Sequence, residues 1–101
     1  MASDRAKNLI GLAQKAGRVA SGEFACEKAI RSGQAQLVII AEDASANTKK
    51  KFTDKAAYYE VPALFFESRA SLGAIIGKGE RACLAILDAG LGSKIKDHLT
   101  N

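Results

Sequence analysis

Leu37-Val38-Ile39-Ile40-Ala41 is an unbroken run of apolar residues rather than an alternating one. A strand with one wet face alternates, so this run requires cover on both faces and predicts a central strand packed between helices. Helical and extended patterns alternate outward from it. On its N-terminal side, Ala6, Leu9, Ile10, Ala13 and Ala16 recur at helical spacing, with Arg5, Lys7, Asn8, Gln14 and Lys15 opposite and Gly17 as a stop. This predicts a first helix over residues 4–16, an extended piece over 18–21, and a second helix over 23–31 that buries Cys26, Ala29 and Ile30 and ends at Ser32-Gly33.

On its C-terminal side, Asp43 or Ser45 can cap a third helix reaching about Tyr59, with Phe52, Ala56 and Tyr59 on the buried stripe. Residues 62–66 form another apolar strand, entered at Pro62 where a backbone donor is not needed. Ser68 caps a short helix through Ile76, residues 82–87 return as a strand, and Leu91, Ile95 and Leu99 line a final helix. The alternation predicts the α/β class: a three-layer α/β/α sandwich whose mixed sheet has about four strands. No linker, repeat or low-complexity tract interrupts residues 1–101, so one domain is expected.

A chain of 101 residues buries roughly two-thirds of its unfolded surface, enough for a core without staples. Cys26 and Cys83 sit among apolar neighbours without metal-ligand spacing, which predicts buried free thiols in a reducing compartment. No apolar run approaches the length of about 18 residues that a membrane span needs, so a cytoplasmic protein with no membrane partner is expected. Fifteen Lys and Arg against eleven Asp and Glu leave a net charge of +4, which favours polyanions. Residues 1–33 carry six of the cations and only three of the anions. A basic face built there would have to meet later segments in space.

The later segment of interest is Leu72-Gly73-Ala74-Ile75-Ile76-Gly77-Lys78-Gly79-Glu80-Arg81, which runs from a helix through glycines and two cations into a strand. It reads as a flexible basic loop suited to an anion. It is not a nucleotide-binding P-loop. Three residues rather than four separate Gly73 from Gly77, Gly79 stands where a Ser or Thr should hold magnesium, and the order is helix to strand. Closing the helix is the plainer role for these glycines.

Ser21-Gly22-Glu23-Phe24-Ala25-Cys26-Glu27-Lys28-Ala29-Ile30-Arg31-Ser32-Gly33 reads first as a capped amphipathic helix. Beyond that, a helix start after a glycine leaves backbone N–H groups free for a phosphate, with Lys28 and Arg31 one turn apart behind it. Phe24 is either a core residue or a platform on which an unpaired base stacks. Lys49-Lys50-Lys51, near the positive end of the third helix, is a solvated face or a polyanion contact.

Catalysis finds little support. The single histidine, His98, falls on a flank of the final helix, and the adjacent carboxylates of Glu42-Asp43 point apart, so capping is their commoner role. No cofactor or metal is expected.

Ser21-Gly22 with Lys28-Ala29-Ile30 and Gly33, then the run 37–41, then Leu72-Gly73 with Gly77-Lys78, together resemble the L7Ae/L30e family of ribosomal proteins over almost the whole chain. Leu9-Ile10-Gly11-Leu12-Ala13-Gln14-Lys15-Ala16-Gly17 and Ala41-Glu42-Asp43-Ala44-Ser45 are similar to its small bacterial members. The resemblance implies an L30e-like fold and non-catalytic binding of structured RNA, a kink-turn or internal loop, ribosomal in origin. It implies contacts at the helix start at Gly22 and at the loop 77–81, and with the residue reading above the expected contacts are Arg18, Ser21, Gly22, Glu23, Phe24, Lys28 and Arg31, together with Gly77, Lys78, Gly79, Glu80 and Arg81.

Kink-turn binders of the family carry Asn-Glu or Lys-Gln two positions after the first glycine, where this chain has Phe24 and Ala25. Phosphate contact therefore carries over better than base reading. With Lys28, Arg31, Lys78 and Arg81 on phosphates, log affinity against log salt should fall with a slope of roughly −3 to −4. The alternative is an adaptor that contacts ribosomal or RNA-processing proteins. An enzyme acting at Glu42-Asp43 comes third.

Overall fold

In the computed structural model, which describes residues 2–100, the chain runs α1 (Ala2–Lys15), β1 (Val19–Ser21), α2 (Glu23–Arg31), β2 (Leu37–Ile40), α3 (Ala46–Tyr58), β3 (Ala63–Phe65), α4 (Arg69–Ile75), β4 (Cys83–Ile86) and α5 (Ala89–Thr100). The four strands form one mixed sheet in the order β1-β4-β2-β3. β4 is antiparallel to both β1 and β2, while β2 and β3 run parallel through the α3 crossover. Helices α2 and α3 cover one face, and α1, α4 and α5 the other. This is the three-layer sandwich expected from the alternation of patterns.

All four residues of β2 are buried, as are all four of β4, because both central strands have helices above and below. The edge strands β1 and β3 are only partly covered. Pro62 lies just before β3, and its carbonyl accepts from Val38 N–H at 2.9 Å, so the ladder extends to the one residue that has no donor to offer.

Local chemistry accounts for the helix ends. Ser45 caps α3 by accepting from Thr48 N–H at 3.1 Å, and Ser68 caps α4 by accepting from Ser71 N–H at 3.1 Å. Asp43, the other candidate cap for α3, instead accepts from Arg69 N–H at 2.8 Å and so joins the β2–α3 connection to the first turn of α4.

Two apolar assignments are corrected. Ala16 lies past the end of α1 and is exposed. Tyr59 is the C-cap of α3 and is 41% exposed, packing edge-on against Tyr58 with ring centroids 4.9 Å apart. The buried stripe ends at Ala56 because the helix stops at Tyr58: the chain leaves it through Glu60, whose φ of 59° turns the backbone toward β3.

Cys26 and Cys83 are buried free thiols. The neighbouring Cys83 thiol and burial push the Cys26 thiol well above its ordinary range, so it stays protonated and donates to Ala20 O at 3.5 Å. No described helix is long and apolar enough to cross a membrane.

Candidate nucleic-acid interface

The C-terminal ends of β1, β2 and β3 and the N-terminal end of β4 lie at one end of the sheet, since Ser21 pairs with Leu84, Ile40 with Cys83, and Ile40 with Phe65. The connections gathered there are the β1–α2 turn, the β2–α3 and β3–α4 segments, and the α4–β4 glycine loop. Strand order therefore brings together two stretches that the sequence separates.

Gly22 is the N-cap of α2 with φ 90° and ψ 163°, a conformation in which a side chain would be strained. It offers no side-chain cap. Its own N–H donates to Cys83 O at 3.1 Å, and its carbonyl accepts from Cys26 N–H at 3.0 Å, so the first-turn N–H groups of α2 face outward unpaired by a cap. Phe24 is 81% exposed. The two readings of that residue thus separate: it is not core. Lys28, four residues on, and Arg31, seven on, continue the same exposed face of α2.

The glycine loop is not a slack tether. Gly77 closes α4 with φ 71°, and Lys78 N–H donates back to Gly73 O at 2.8 Å. Gly79 lies so close to Gly73 that any side chain on Gly73 would overlap the Gly79 carbonyl. Arg81 N–H then donates to Arg69 O at 3.1 Å, and its side chain bonds Ser21 Oγ, Gly79 O and Glu80 O. The flexibility expected of a glycine-rich loop is removed by this close approach to α4. Lys78 projects from the loop into solvent, with no ion pair among the described residues.

Ser21, Gly22, Glu23, Phe24, Gly77, Lys78, Gly79, Glu80 and Arg81 thus share one end of the fold, with Lys28 one turn behind. Two further candidates stand apart. Arg18 precedes β1 at the opposite end of the sheet, where its carbonyl accepts from Leu87 N–H at 2.8 Å, about 10 Å along the strand from Ser21. Arg31 ends α2, about 12 Å along the helix axis from its start.

Glu23 accepts from Thr48 Oγ1–H at 3.2 Å, which fastens the start of α2 beside the start of α3. The anion that compensates the lysine run is the protein's own: Glu27 pairs with Lys51 and Lys55, both at 3.2 Å. Hydrogen bonds from Lys55 and Lys51 hold its carboxyl below the usual range. Lys50 pairs with Asp54 at 3.0 Å, and Lys49 lies 5.9 Å from the centre of the Phe65 ring. Most of this run is therefore engaged within the protein.

Sequence reading passed over Glu67. It sits at the same sheet end with φ 61°, accepts from Glu42 N–H through its carbonyl at 2.7 Å, and pairs with Lys7 at 3.4 Å. A non-glycine residue in the left-handed region leaves no mark in a hydrophobic pattern. Among the described residues, no group of three or more His, Cys, Asp and Glu side chains is placed to hold a metal ion.

The sequence profile of the ribosomal protein L7Ae/L30e/S12e/Gadd45 family matches residues 4–95. The chain belongs to this family. It is 51% identical over 87 residues to the RNA-binding protein YlxQ of Bacillus subtilis, covering 86% of this chain and 87% of that one. It is 45% identical over 93 residues to the RNA-binding protein YlxQ of Enterococcus faecium, covering 92% and 89%. A solved structure of a protein of unknown function from Bacillus halodurans superposes with a TM-score of 0.92 at 38% identity, covering 95% of this chain and 97% of that one. Membership agrees with the resemblance carried by Ser21-Gly22, residues 37–41 and Gly77-Lys78.

Proposed function

We propose that this chain is a non-catalytic RNA-binding protein, one domain over residues 1–101, that grips structured RNA with the composite surface made by the α2 start and the glycine loop. One observation carries this reading: Arg81 Nε donates to Ser21 Oγ at 3.2 Å, joining the two segments that sequence pattern had marked separately. Around that joint stand outward backbone N–H groups, the exposed cations Lys28 and Lys78, and the exposed ring of Phe24. A bent RNA backbone offers closely spaced phosphates to the first two, and an unstacked base offers a face to the third.

The RNA class is a kink-turn or internal loop, ribosomal in origin, which carries with it a cytoplasmic location. Similarity to proteins named for RNA binding supports the general reading. Because Phe24 and Ala25 stand where kink-turn binders carry Asn-Glu or Lys-Gln, stacking and shape take the place of hydrogen-bonded base reading here. With Lys28 and Lys78 as the outward cations of this surface, the salt slope becomes roughly −1.5 to −2, shallower than four contacts would give.

Gel-shift titration of a kink-turn RNA against a scrambled stem of equal length tests the function. Preference for the kink-turn with the stated slope supports it. Equal and weak binding to both, with no salt dependence, overturns it in favour of the adaptor reading. That reading has an observation of its own: Tyr58 is 80% exposed toward the far end of α3, beside Tyr59 and remote from the glycine loop.

A further inference from the structure

We infer that Arg81 is the positioning residue of this surface: its guanidinium is held by protein acceptors and locks the glycine loop to the start of α2, leaving the grip on phosphate to Lys28 and Lys78. The functional half of this inference rests on the RNA-binding reading above. The structural half stands on geometry alone.

Arg81 is half-buried, whereas Lys78, three residues earlier, is exposed. The Arg81 Nε hydrogen goes to Ser21 Oγ at 3.2 Å, and Nη1 donates to Gly79 O at 3.1 Å and Glu80 O at 2.9 Å. Two of these acceptors are carbonyls of the loop itself, and the third is a hydroxyl on the neighbouring strand β1. A planar guanidinium can donate in all these directions at once because its N–H groups are fixed in a fork. An ammonium on a flexible stem cannot hold the same three acceptors.

The backbone is pinned from the other side as well. Lys78 N–H bonds to Gly73 O, Arg81 N–H bonds to Arg69 O, and Gly79 rests on the bare α-carbon of Gly73. Against α4 the loop is held by main-chain contacts; against β1 and α2 it is held by the Arg81 side chain and, just beyond it, by Gly22 N–H on Cys83 O. Removing Arg81 therefore loosens one side only: the loop stays attached to α4, while toward Gly22 only the main-chain bond to Cys83 O remains. A surface preset in this way loses less conformational entropy on binding than a mobile loop.

The test compares Arg81→Lys, Arg81→Gln, Ser21→Ala, the Ser21→Ala/Arg81→Gln pair and Lys78→Gln with the unmodified chain. A kink-turn RNA is titrated over a range of salt, and amide exchange is followed at Gly22 without RNA. For a positioning role, Arg81→Lys and Arg81→Gln weaken binding alike, by about tenfold, with the salt slope unchanged. Lys78→Gln instead makes the slope shallower by about 0.7 to 0.9. The double variant binds no more weakly than Arg81→Gln alone, because both changes break one joint. The Gly22 amide, whose bond to Cys83 O crosses the joint, exchanges faster in both Arg81 variants.

The inference is overturned if Arg81→Lys keeps full affinity while Arg81→Gln loses as much slope as Lys78→Gln, the pattern of a phosphate ligand. Unchanged amide exchange in Arg81→Gln overturns it equally. Should the unmodified chain bind no RNA, the RNA-binding reading fails, and amide exchange alone then rules for or against the lock.

Discussion

Glu23 Oε2 accepts the Thr48 Oγ1 hydrogen at 3.2 Å, a bond across 25 residues that sets the first turn of α2 beside the first turn of α3. Thr48 is the one buried polar side chain of the described residues, and Ser45 Oγ donates to its hydroxyl at 2.9 Å. The three side chains form one relay from the cap of α3 to the start of α2.

Glu23→Ala leaves the Thr48 hydroxyl without its acceptor and should cost about 1–2 kcal/mol in urea unfolding. Glu23→Gln keeps an acceptor oxygen and should cost less than half as much. Because it also removes a carboxylate from the proposed RNA surface, Glu23→Gln should tighten RNA binding by about twofold at low salt, and high salt should erase the gain. Equal stability loss in the two variants would argue against the relay.

Phe24→Ala should leave the folded state nearly unchanged, within about 0.5 kcal/mol, because the ring is 81% exposed and supports no core. RNA binding should weaken by about 1–3 kcal/mol with no change in salt slope, since stacking releases no counterions. Tyr58→Ala, at the far end of α3, serves as the control and should leave the titration unaltered.

Gly73→Ala is expected to be the most disruptive single methyl on the chain. The added carbon would overlap the Gly79 carbonyl, so either α4 or the loop must move, at a cost of about 1–3 kcal/mol. The thermal midpoint should fall by several degrees, roughly 4–8 °C for each kcal/mol in a domain of this size. RNA binding should fall with it. Gly77→Ala places a side chain at φ 71° with open space around it, so its cost is backbone strain alone, about 1 kcal/mol.

Glu27 sets a pH signature. Its carboxyl is held below the ordinary value of 4.5 by Lys55 and Lys51, so the folded state favours the ionised form more than the unfolded state does. That stabilisation is present above pH 4.5 and is lost as pH falls through the lower folded-state value. Glu27→Gln should therefore be less stable than the unmodified chain at pH 7, and the difference should shrink toward zero at acid pH. Urea midpoints at the two pH values check this; a gap that persists in acid would assign the effect to packing instead.

Much of the fold was legible from local pattern. Residues 37–41 announced a strand covered on both faces because burial on two sides removes alternation, and Ser45 and Ser68 announced helix starts because a hydroxyl there accepts a first-turn N–H. Legibility failed where position depends on a neighbour distant in sequence. Tyr59 fits the apolar spacing of α3 yet lies past its last turn, and Arg18 shares the charge of the α2 start yet lies at the other end of β1.

By itself, the sequence determined the elements, their order and the two segments of functional interest, because periodicity and capping are properties of residues a few positions apart. That those segments form one surface follows from the packing of the sheet. The order β1-β4-β2-β3 sets the first strand beside the last, so Ser21 meets Arg81 across 60 residues and Gly22 meets Cys83. No local pattern encodes that pairing, since it follows from how both faces of the central strands find cover at once. The same packing turned Phe24 outward and Arg81 inward. It thereby separated an exposed aromatic ring from a guanidinium bonded to the protein itself.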